Sequence, residues 1–145
     1  MVDLRQECEQ VEEIWTRSQE SWVPLSVAAA FTFHQTRRNV ANLLFPEEYA
    51  NALDIAAAAL SCLIPIYAPD EQGLPVPVPI NLASDKFRGG ATKVQRADGK
   101  LFSPLDIVRR DLPPALIAIE SANIDYVAPT RDMTRNPRRP PPRRV

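Results

Sequence analysis

Apolar side chains recur at helical spacing through the first part of the chain. Between residues 2 and 22 they follow one another at steps of three, four and seven, while glutamates occupy the opposite side. This periodicity predicts an amphipathic helix over residues 2–22, ended by Pro24. The apolar stripe consists of Leu4, Cys8, Val11, Ile14, Trp15 and Trp22.

Two further helices are predicted from the same kind of pattern. Ser26 is a favourable N-cap residue for a helix that extends to about Leu44. Pro46 suits a first helical position and the two glutamates after it suit the helix dipole, so a third helix is predicted from here to about Leu63. This third helix is apolar on nearly all sides, which indicates a helix at the centre of a domain or covered by a partner subunit.

The middle of the chain favours extended structure. Residues 65–79 hold five prolines and one glycine, and proline fixes φ and lacks an N–H group. We therefore expect a stiff connector or an edge segment here, not a central strand. Asp98-Gly99 then separates two strand-like runs, residues 92–96 and 100–103, and this arrangement predicts a β-hairpin.

Helix signals return after the hairpin. Ser103 and Pro104 fit an N-cap and a first helical position, so a short helix is expected to about Asp111, stopped by the two prolines that follow. Residues 115–122 are apolar and fit either a helix or a strand.

These elements predict an α+β fold that is predominantly α-helical. It has a three-helix N-terminal core, a proline-rich extended connector, one β-hairpin and one or two short C-terminal helices. Residues 1–128 have the length of a single domain with one hydrophobic core. Residues 129–145 combine prolines and arginines with almost no apolar side chains, and such a tail is expected to be disordered.

Charge separates an acidic body from this basic tail. Residues 129–145 carry six arginines against one aspartate, a net charge of +5, which leaves −6 on residues 1–128. A second basic element, residues 86–100, carries five cations against one acid. The cations of the two elements are Lys86, Arg88, Lys93, Arg96, Lys100, Arg131, Arg135, Arg138, Arg139, Arg143 and Arg144.

Three interpretations of the basic residues stay open. Phosphate backbones are common partners of such elements, which favours contact with nucleic acid. Alternatively, the hairpin cations pair with the acidic first helix, and the tail raises solubility without any ligand. The tail also has a bare P-x-x-P spacing from Pro137 to Pro140, which is typical of ligands of proline-binding domains.

Motifs for catalysis or metal binding are scarce. The single histidine, His34, has no cysteine or acid at a catalytic spacing and is interpreted as a packing or surface residue. The sequence contains no Cys-x-x-Cys, no histidine pair and no calcium-type loop, so no metal or other cofactor is expected. Residues 86–90 have the glycines of an anion-binding loop without the spacing of a nucleotide-binding P-loop, and a flexible entry to the hairpin is the simpler interpretation.

The cysteine content and the absence of a recognisable secretory signal favour a reduced, cytoplasmic compartment. Cys8 and Cys62 lie in apolar helical stripes, where a small hydrophobic residue would serve equally well. Residues 50–68 carry a single formal charge, Asp54, and many alanines. We interpret them as a buried helix and not as a membrane span, and expect no membrane partner.

The leading functional hypothesis is a non-catalytic protein–protein interaction or assembly protein that binds a protein partner or a second copy of itself. The expected interface residues are Trp15, Trp22, Tyr49, Leu53 and Leu60. The alternative is a nucleic-acid-associated protein, coat-like or accessory, that uses the 86–100 hairpin and the tail. A small enzyme has the least support, because it rests on His34 and residues 86–90 alone.

Overall fold

The structure, a computed structural model, describes residues 1–18 and 20–126. Within these ranges the chain is a mixed α+β domain with four helices and nine short strands. The helices are α1 (Leu4–Arg17), α2 (Leu25–Thr36), α3 (Pro46–Ser61) and α4 (Leu112–Ala122). The strands are β1 (Val2–Asp3), β2 (Trp22–Pro24), β3 (Leu43–Leu44), β4 (Tyr67–Pro69), β5 (Pro75–Pro77), β6 (Lys86–Arg88), β7 (Lys93–Gln95), β8 (Leu101–Phe102) and β9 (Asp106–Val108).

The first helix is shorter than the periodicity predicts. Asp3 caps its start, because the carboxylate accepts the backbone N–H of Arg5 at 3.0 Å. The helix ends at Arg17 and Ser18 is already extended. Trp22 therefore does not belong to the helical stripe: it begins β2, which pairs with β9 over three residues. The strand pairing outweighs the helical spacing at this position.

The second helix also differs from its predicted bounds. It begins at Leu25, directly after Pro24, and Ser26 does not cap it. It ends at Thr36, because the chain turns through Asn39, whose φ is +58°, and returns as β3 to pair with β1. The predicted helical continuation to Leu44 is wrong.

The third helix starts as predicted and is covered by its own chain. Pro46 is its first residue, and the Glu48 carboxylate accepts the backbone N–H of Phe45 at 2.9 Å. Its buried side chains face α2, α4 and β6. These side chains are Ala52, Leu53, Ala56, Ala57 and Leu60. A partner subunit is not needed to cover them.

A four-stranded antiparallel sheet joins distant parts of the chain in the order β2-β9-β4-β5. Within it, Tyr67 pairs with Asp106 and with Pro77. The proline-rich region thus contributes an edge strand, β5, as expected, but also the interior strand β4, which was not expected. Proline is tolerated because Pro69 is the last residue of β4 and the other two prolines lie on the edge strand β5.

The predicted hairpin forms, and a third strand extends it. β7 and β8 pair on either side of the Asp98-Gly99 turn, and β6 pairs with β7 to complete a three-stranded sheet. Phe87 and Val94 oppose each other and are buried, which fixes this sheet to the core by one face.

The helix predicted from Ser103 to Asp111 is not present. Residues 106–108 form strand β9, in which Ile107 is fully buried, and a 3₁₀ turn follows at Arg109–Asp111. Pro113 and Pro114 do not stop a helix: they lie in the first turn of α4, where a missing N–H costs little. Residues 115–122, ambiguous in the sequence, are helical.

The hydrophobic core extends beyond the three N-terminal helices. The four helices and the 3₁₀ turn together account for 45% of the described chain, and fully buried side chains come also from β9 and α4, among them Ile107, Leu112 and Ile119. The expected three-helix core and predominantly helical character are therefore not confirmed, whereas the α+β class is. The expected tail, residues 129–145, lies outside the described residues.

The sequence predicts cysteines without a disulfide bond and an apolar third helix that does not span a membrane. The thiols of Cys8 and Cys62 are both free. In the described ranges, no helix has the length and apolar character to cross a membrane.

Candidate partner-binding face

The four-stranded sheet has one face against the core and one face toward solvent. Alternation along the strands places Val23, Ala68 and Ile107 on the inner face, where all three are buried. Their neighbours project from the opposite side. We call this second side the outer sheet face; it consists of Trp22, Pro24, Tyr67, Pro69, Pro75, Pro77, Asp106 and Val108.

The outer sheet face is apolar, aromatic and largely open. Trp22 and the four prolines are exposed, while Tyr67, Asp106 and Val108 are half-buried. The ring of Trp22 meets that of Tyr67 edge-on, with centroids 4.9 Å apart and planes at 86°. Two aromatic rings thus stand side by side on a surface otherwise made mainly of proline.

A cleft of about 240 Å³ lies beside these rings. The β4–β5 turn contributes Gly73 to its lining, and this glycine adopts a φ of +82°. The Asp70 carboxylate holds this turn by accepting the backbone N–H groups of Gln72 and Leu74, both at 2.9 Å. The cleft is lined by Trp22, Pro69, Gly73, Pro75, Pro104 and Asp106.

Asp106 places a carboxylate in this apolar cleft. Among residues 1–18 and 20–126, no side chain or backbone group forms a hydrogen bond or ion pair with it. Partial burial raises the pKa of Asp106 above its usual value. Asp70 and Glu71 add negative charge at the neighbouring turn, and no cation is among the described residues that line the cleft.

Trp15, the other predicted interface tryptophan, is engaged by its own chain. Its ring stacks on Phe31 at 4.8 Å, and the Arg109 guanidinium lies over it at 4.4 Å from the centroid. Arg109 also donates hydrogen bonds to the carbonyl oxygens of Trp15, at 2.7 Å, and of Ser18. These contacts join the end of α1 to the 3₁₀ turn, which indicates a structural role for Trp15.

The remaining predicted interface residues lie inside the domain. Leu53 is 9% exposed and Leu60 has no exposed surface, so neither presents a surface to a partner in this conformation. Tyr49 is half-buried, and its hydroxyl forms a hydrogen bond of 2.9 Å with Nε2 of His34. Of the five residues expected at an interface, Trp22 alone lies on the outer sheet face.

His34 is held in a buried, neutral state between helices. It is 7% exposed, and Nε2 is paired with Tyr49. Burial, reinforced by the positive charge of Arg37 and partly opposed by Glu12, lowers the pKa of His34 to about 4. Burial likewise raises the pKa of Tyr49 to about 12. This environment suits the packing residue that the sequence indicates.

The depressed pKa of His34 predicts a pH-dependent stability. Between pH 6.5 and about 4 the unfolded chain binds a proton at this site that the folded chain does not. The free energy of unfolding therefore falls as the pH is lowered through this window, by up to about 3 kcal/mol from His34. Urea denaturation at several pH values, in the native chain and in His34→Gln, measures this slope. An identical slope in both proteins would refute the assignment.

The basic residues of the hairpin divide between two faces of the three-stranded sheet. Lys86, Arg88 and Lys93 share the face opposite the buried Phe87, and Arg88 Nε donates to Gln95 Oε1 at 2.8 Å. Arg96 lies instead over the ring of Phe102, as does Lys100. In the part of the chain that the structure describes, no ion pair links these cations to α1. The arginines from Arg131 to Arg144 lie outside the described residues.

The glycine loop after β6 binds the carboxylate of Asp54 from the same chain. The Asp54 carboxylate on α3 accepts the backbone N–H of Ala91 at 2.7 Å, and Gly90 offers its N–H to the same group. Burial raises the pKa of Asp54, and these two hydrogen bonds together with Arg88 partly offset the effect. The anion-binding character seen in residues 86–90 thus serves to dock the hairpin on α3.

Asp54→Ala is expected to loosen this docking. It leaves the buried Ala91 N–H without an acceptor, which costs about 1–3 kcal/mol in the free energy of unfolding. Chemical denaturation measures the loss, and amide hydrogen exchange should accelerate first in residues 88–95. Asp98→Ala, at the exposed hairpin turn, is the matched control and should change the free energy of unfolding by less.

No three acidic, histidine or cysteine side chains among the described residues come together to hold a metal ion. No family model, curated protein or solved structure matches this chain.

Sequence reasoning missed Tyr67 and Asp106 as site residues. Each is an ordinary residue in its own segment, and each acquires a role only when β4 and β9 pair. The dense prolines of residues 65–79 are a signal visible in the sequence, whereas the exposed–buried–exposed alternation of Trp22, Val23 and Pro24 is visible only in the structure. The prolines do not indicate which strands become neighbours.

Proposed function

We propose that this protein is a non-catalytic interaction protein that binds an extended, proline-containing polypeptide segment on its outer sheet face. The observation that carries the proposal is the open pair of Trp22 and Tyr67 beside the Asp106 carboxylate, which has no partner among the described residues. Exposed apolar patches of this kind mark interaction sites in soluble domains. Aromatic residues supply much of the binding free energy at such sites.

The shape and chemistry of the face favour a polyproline II ligand. Such segments are already extended and lose little conformational entropy on binding, and they dock on surfaces lined by aromatic rings. The Asp106 carboxylate, with Asp70 and Glu71 at the turn, favours a ligand that carries arginine. Arginine can pair with a carboxylate and stack on a tryptophan at the same time.

Isothermal titration calorimetry with a defined probe tests the proposal. The probe is a synthetic peptide of five prolines with two arginines at each end, titrated into the full-length protein at about 0.15 M salt, where surface charges are screened beyond about 8 Å. A control peptide keeps the arginines and replaces the prolines with alternating glycine and serine. We expect saturable 1:1 binding of the proline peptide and at least tenfold weaker binding of the control.

Asp106→Asn separates the charge from the aromatic contacts. This variant keeps the shape of the cleft and should bind the proline peptide more weakly, with a smaller dependence on salt, because one charge-assisted pair is lost. Glu120→Gln on the exposed side of α4 is the matched control and should bind as the native protein does. Equal binding of both peptides by the native protein would contradict the proposal, since charge alone would then account for the affinity.

A second candidate function is contact with nucleic acid through the three-stranded sheet. The observation that favours it is the common face of Lys86, Arg88 and Lys93, three cations without an ion pair to α1. It predicts affinity for single- or double-stranded nucleic acid that falls steeply with salt. The triple variant with glutamine at these positions should lose that affinity and keep the binding of the proline peptide. Salt-independent binding would rule this function out.

A further inference from the structure

We infer that the outer sheet face is occupied in the free protein by the chain's own Arg/Pro segment, residues 137–144, which makes the interaction site self-regulated. The inference rests on the proposed function, because it requires a face that binds proline-containing segments. The segment reads Pro-Arg-Arg-Pro-Pro-Pro-Arg-Arg. It combines the two features that the proposed function requires of a ligand, an uninterrupted run of prolines and flanking arginines.

The segment and the domain carry opposite charges. Residues 129–145 carry a net charge of +5, and residues 1–128 carry −6. Part of the negative charge comes from Asp106, which lines the cleft, and from Asp70 and Glu71 in the β4–β5 turn next to it. Asp106 is partly buried and has no partner within residues 1–18 and 20–126, so a guanidinium that docks there can pair with its carboxylate.

The chain between Tyr126 and the segment is long enough to reach the outer sheet face. The last described residue, Tyr126, is fixed near the end of α2 by contacts with Phe33 and Thr36, and Trp22 lies just before the beginning of the same helix. Because α2 has 12 residues, the two points are separated along its axis by about 18 Å. The residues from 127 to 137 span about 34 Å when extended as polyproline II, which is ample to reach the face within one molecule.

Tethering then favours the intramolecular complex over a second copy. A segment tethered within the same chain has an effective concentration of the order of 1 mM. If the free segment binds with a dissociation constant near 0.1 mM, the tether occupies about nine-tenths of the sites and weakens any competing ligand about tenfold. An external proline-rich partner must displace the segment before it can bind.

The test uses a full-length variant with unchanged body residues. In this tail variant, Arg138, Arg139, Arg143 and Arg144 are replaced by glutamine and Pro140, Pro141 and Pro142 by alanine. The calorimetric titration with the five-proline probe is repeated on the native protein and on the tail variant. We expect the tail variant to bind the probe about tenfold more tightly, because the competing segment is gone.

Four outcomes of this titration distinguish self-occupation by the segment from the proposed function on which it rests. Two results together support occupation within one molecule. The tail variant binds the probe more tightly than the native protein, and the NMR shift of the Trp22 indole in the native protein does not change on dilution. Equal affinities in the two proteins overturn the inference and leave the proposed function standing. No binding by either protein overturns both. A Trp22 shift that depends on protein concentration assigns the segment to a second copy and overturns the intramolecular arrangement.

Discussion

Replacing Trp22 with alanine is expected to weaken binding of the five-proline peptide by roughly 30-fold, about 2 kcal/mol or more. Trp22 is 39% exposed and supplies the larger of the two rings beside the cleft. Its removal deletes the stacking surface for proline and arginine and also frees the edge of Tyr67. Calorimetry with the full-length protein measures the change in dissociation constant.

Two further variants keep this result interpretable. Trp22→Phe retains an aromatic ring at the same strand position and should recover part of the affinity. Ile117→Ala removes an apolar side chain that is 71% exposed on α4, away from the face, and should bind as the native protein does. Native-like affinity of Trp22→Ala would place the binding surface elsewhere.

Replacing Phe33 with alanine is expected to lower the free energy of unfolding by about 3–5 kcal/mol. Phe33 is fully buried in α2, and its ring meets those of His34, Tyr49 and Tyr126 at centroid distances of 5.2, 5.8 and 5.0 Å. The truncation leaves a cavity among these three rings. Hydrogen bonds hold them in place, since His34 pairs with Tyr49 and Tyr126 pairs with Thr36. They cannot easily move to fill it.

Urea denaturation of the native chain and of Phe33→Ala measures this loss. The exposed Ile117→Ala again provides the comparison, and its effect should stay within about 0.5 kcal/mol. Phe33→Leu should fall between the two, because it retains most of the buried apolar volume. A loss of less than about 1 kcal/mol in Phe33→Ala would contradict the position of this ring at the centre of the core.

Local chemistry explains the parts of the fold that the sequence predicts well. The start of α3 at Pro46 depends on residues 45–48 alone, and the hairpin turn at Asp98-Gly99 depends on two adjacent residues. Signals of this kind are complete within a few positions of the chain. They require no knowledge of what lies across the domain.

Long-range strand pairing explains the parts that the sequence does not predict. Trp22 continues a helical stripe in the sequence, but Val108 is its partner in the sheet. Asp106 lies in the helix that Ser103 appears to cap in the sequence, but in the structure it pairs with Tyr67 of β4. Both partners are more than 35 residues away, so no local periodicity reveals them. The outer sheet face is built from such pairs, and for this reason only one of its aromatic residues could be named in advance.

A proton–nitrogen NMR titration tests the central claim most directly, because the chain has two tryptophans and each gives one indole N–H signal. The five-proline peptide is added to the labelled full-length tail variant, which lacks the arginines and prolines that we propose as the competing segment, and Trp22→Phe assigns the signals. We predict a saturable shift of the Trp22 indole while that of Trp15, stacked on Phe31 beneath Arg109, stays in place. Equal shifts of both signals, or no shift of Trp22 at saturating peptide, would show that the outer sheet face is not the binding site.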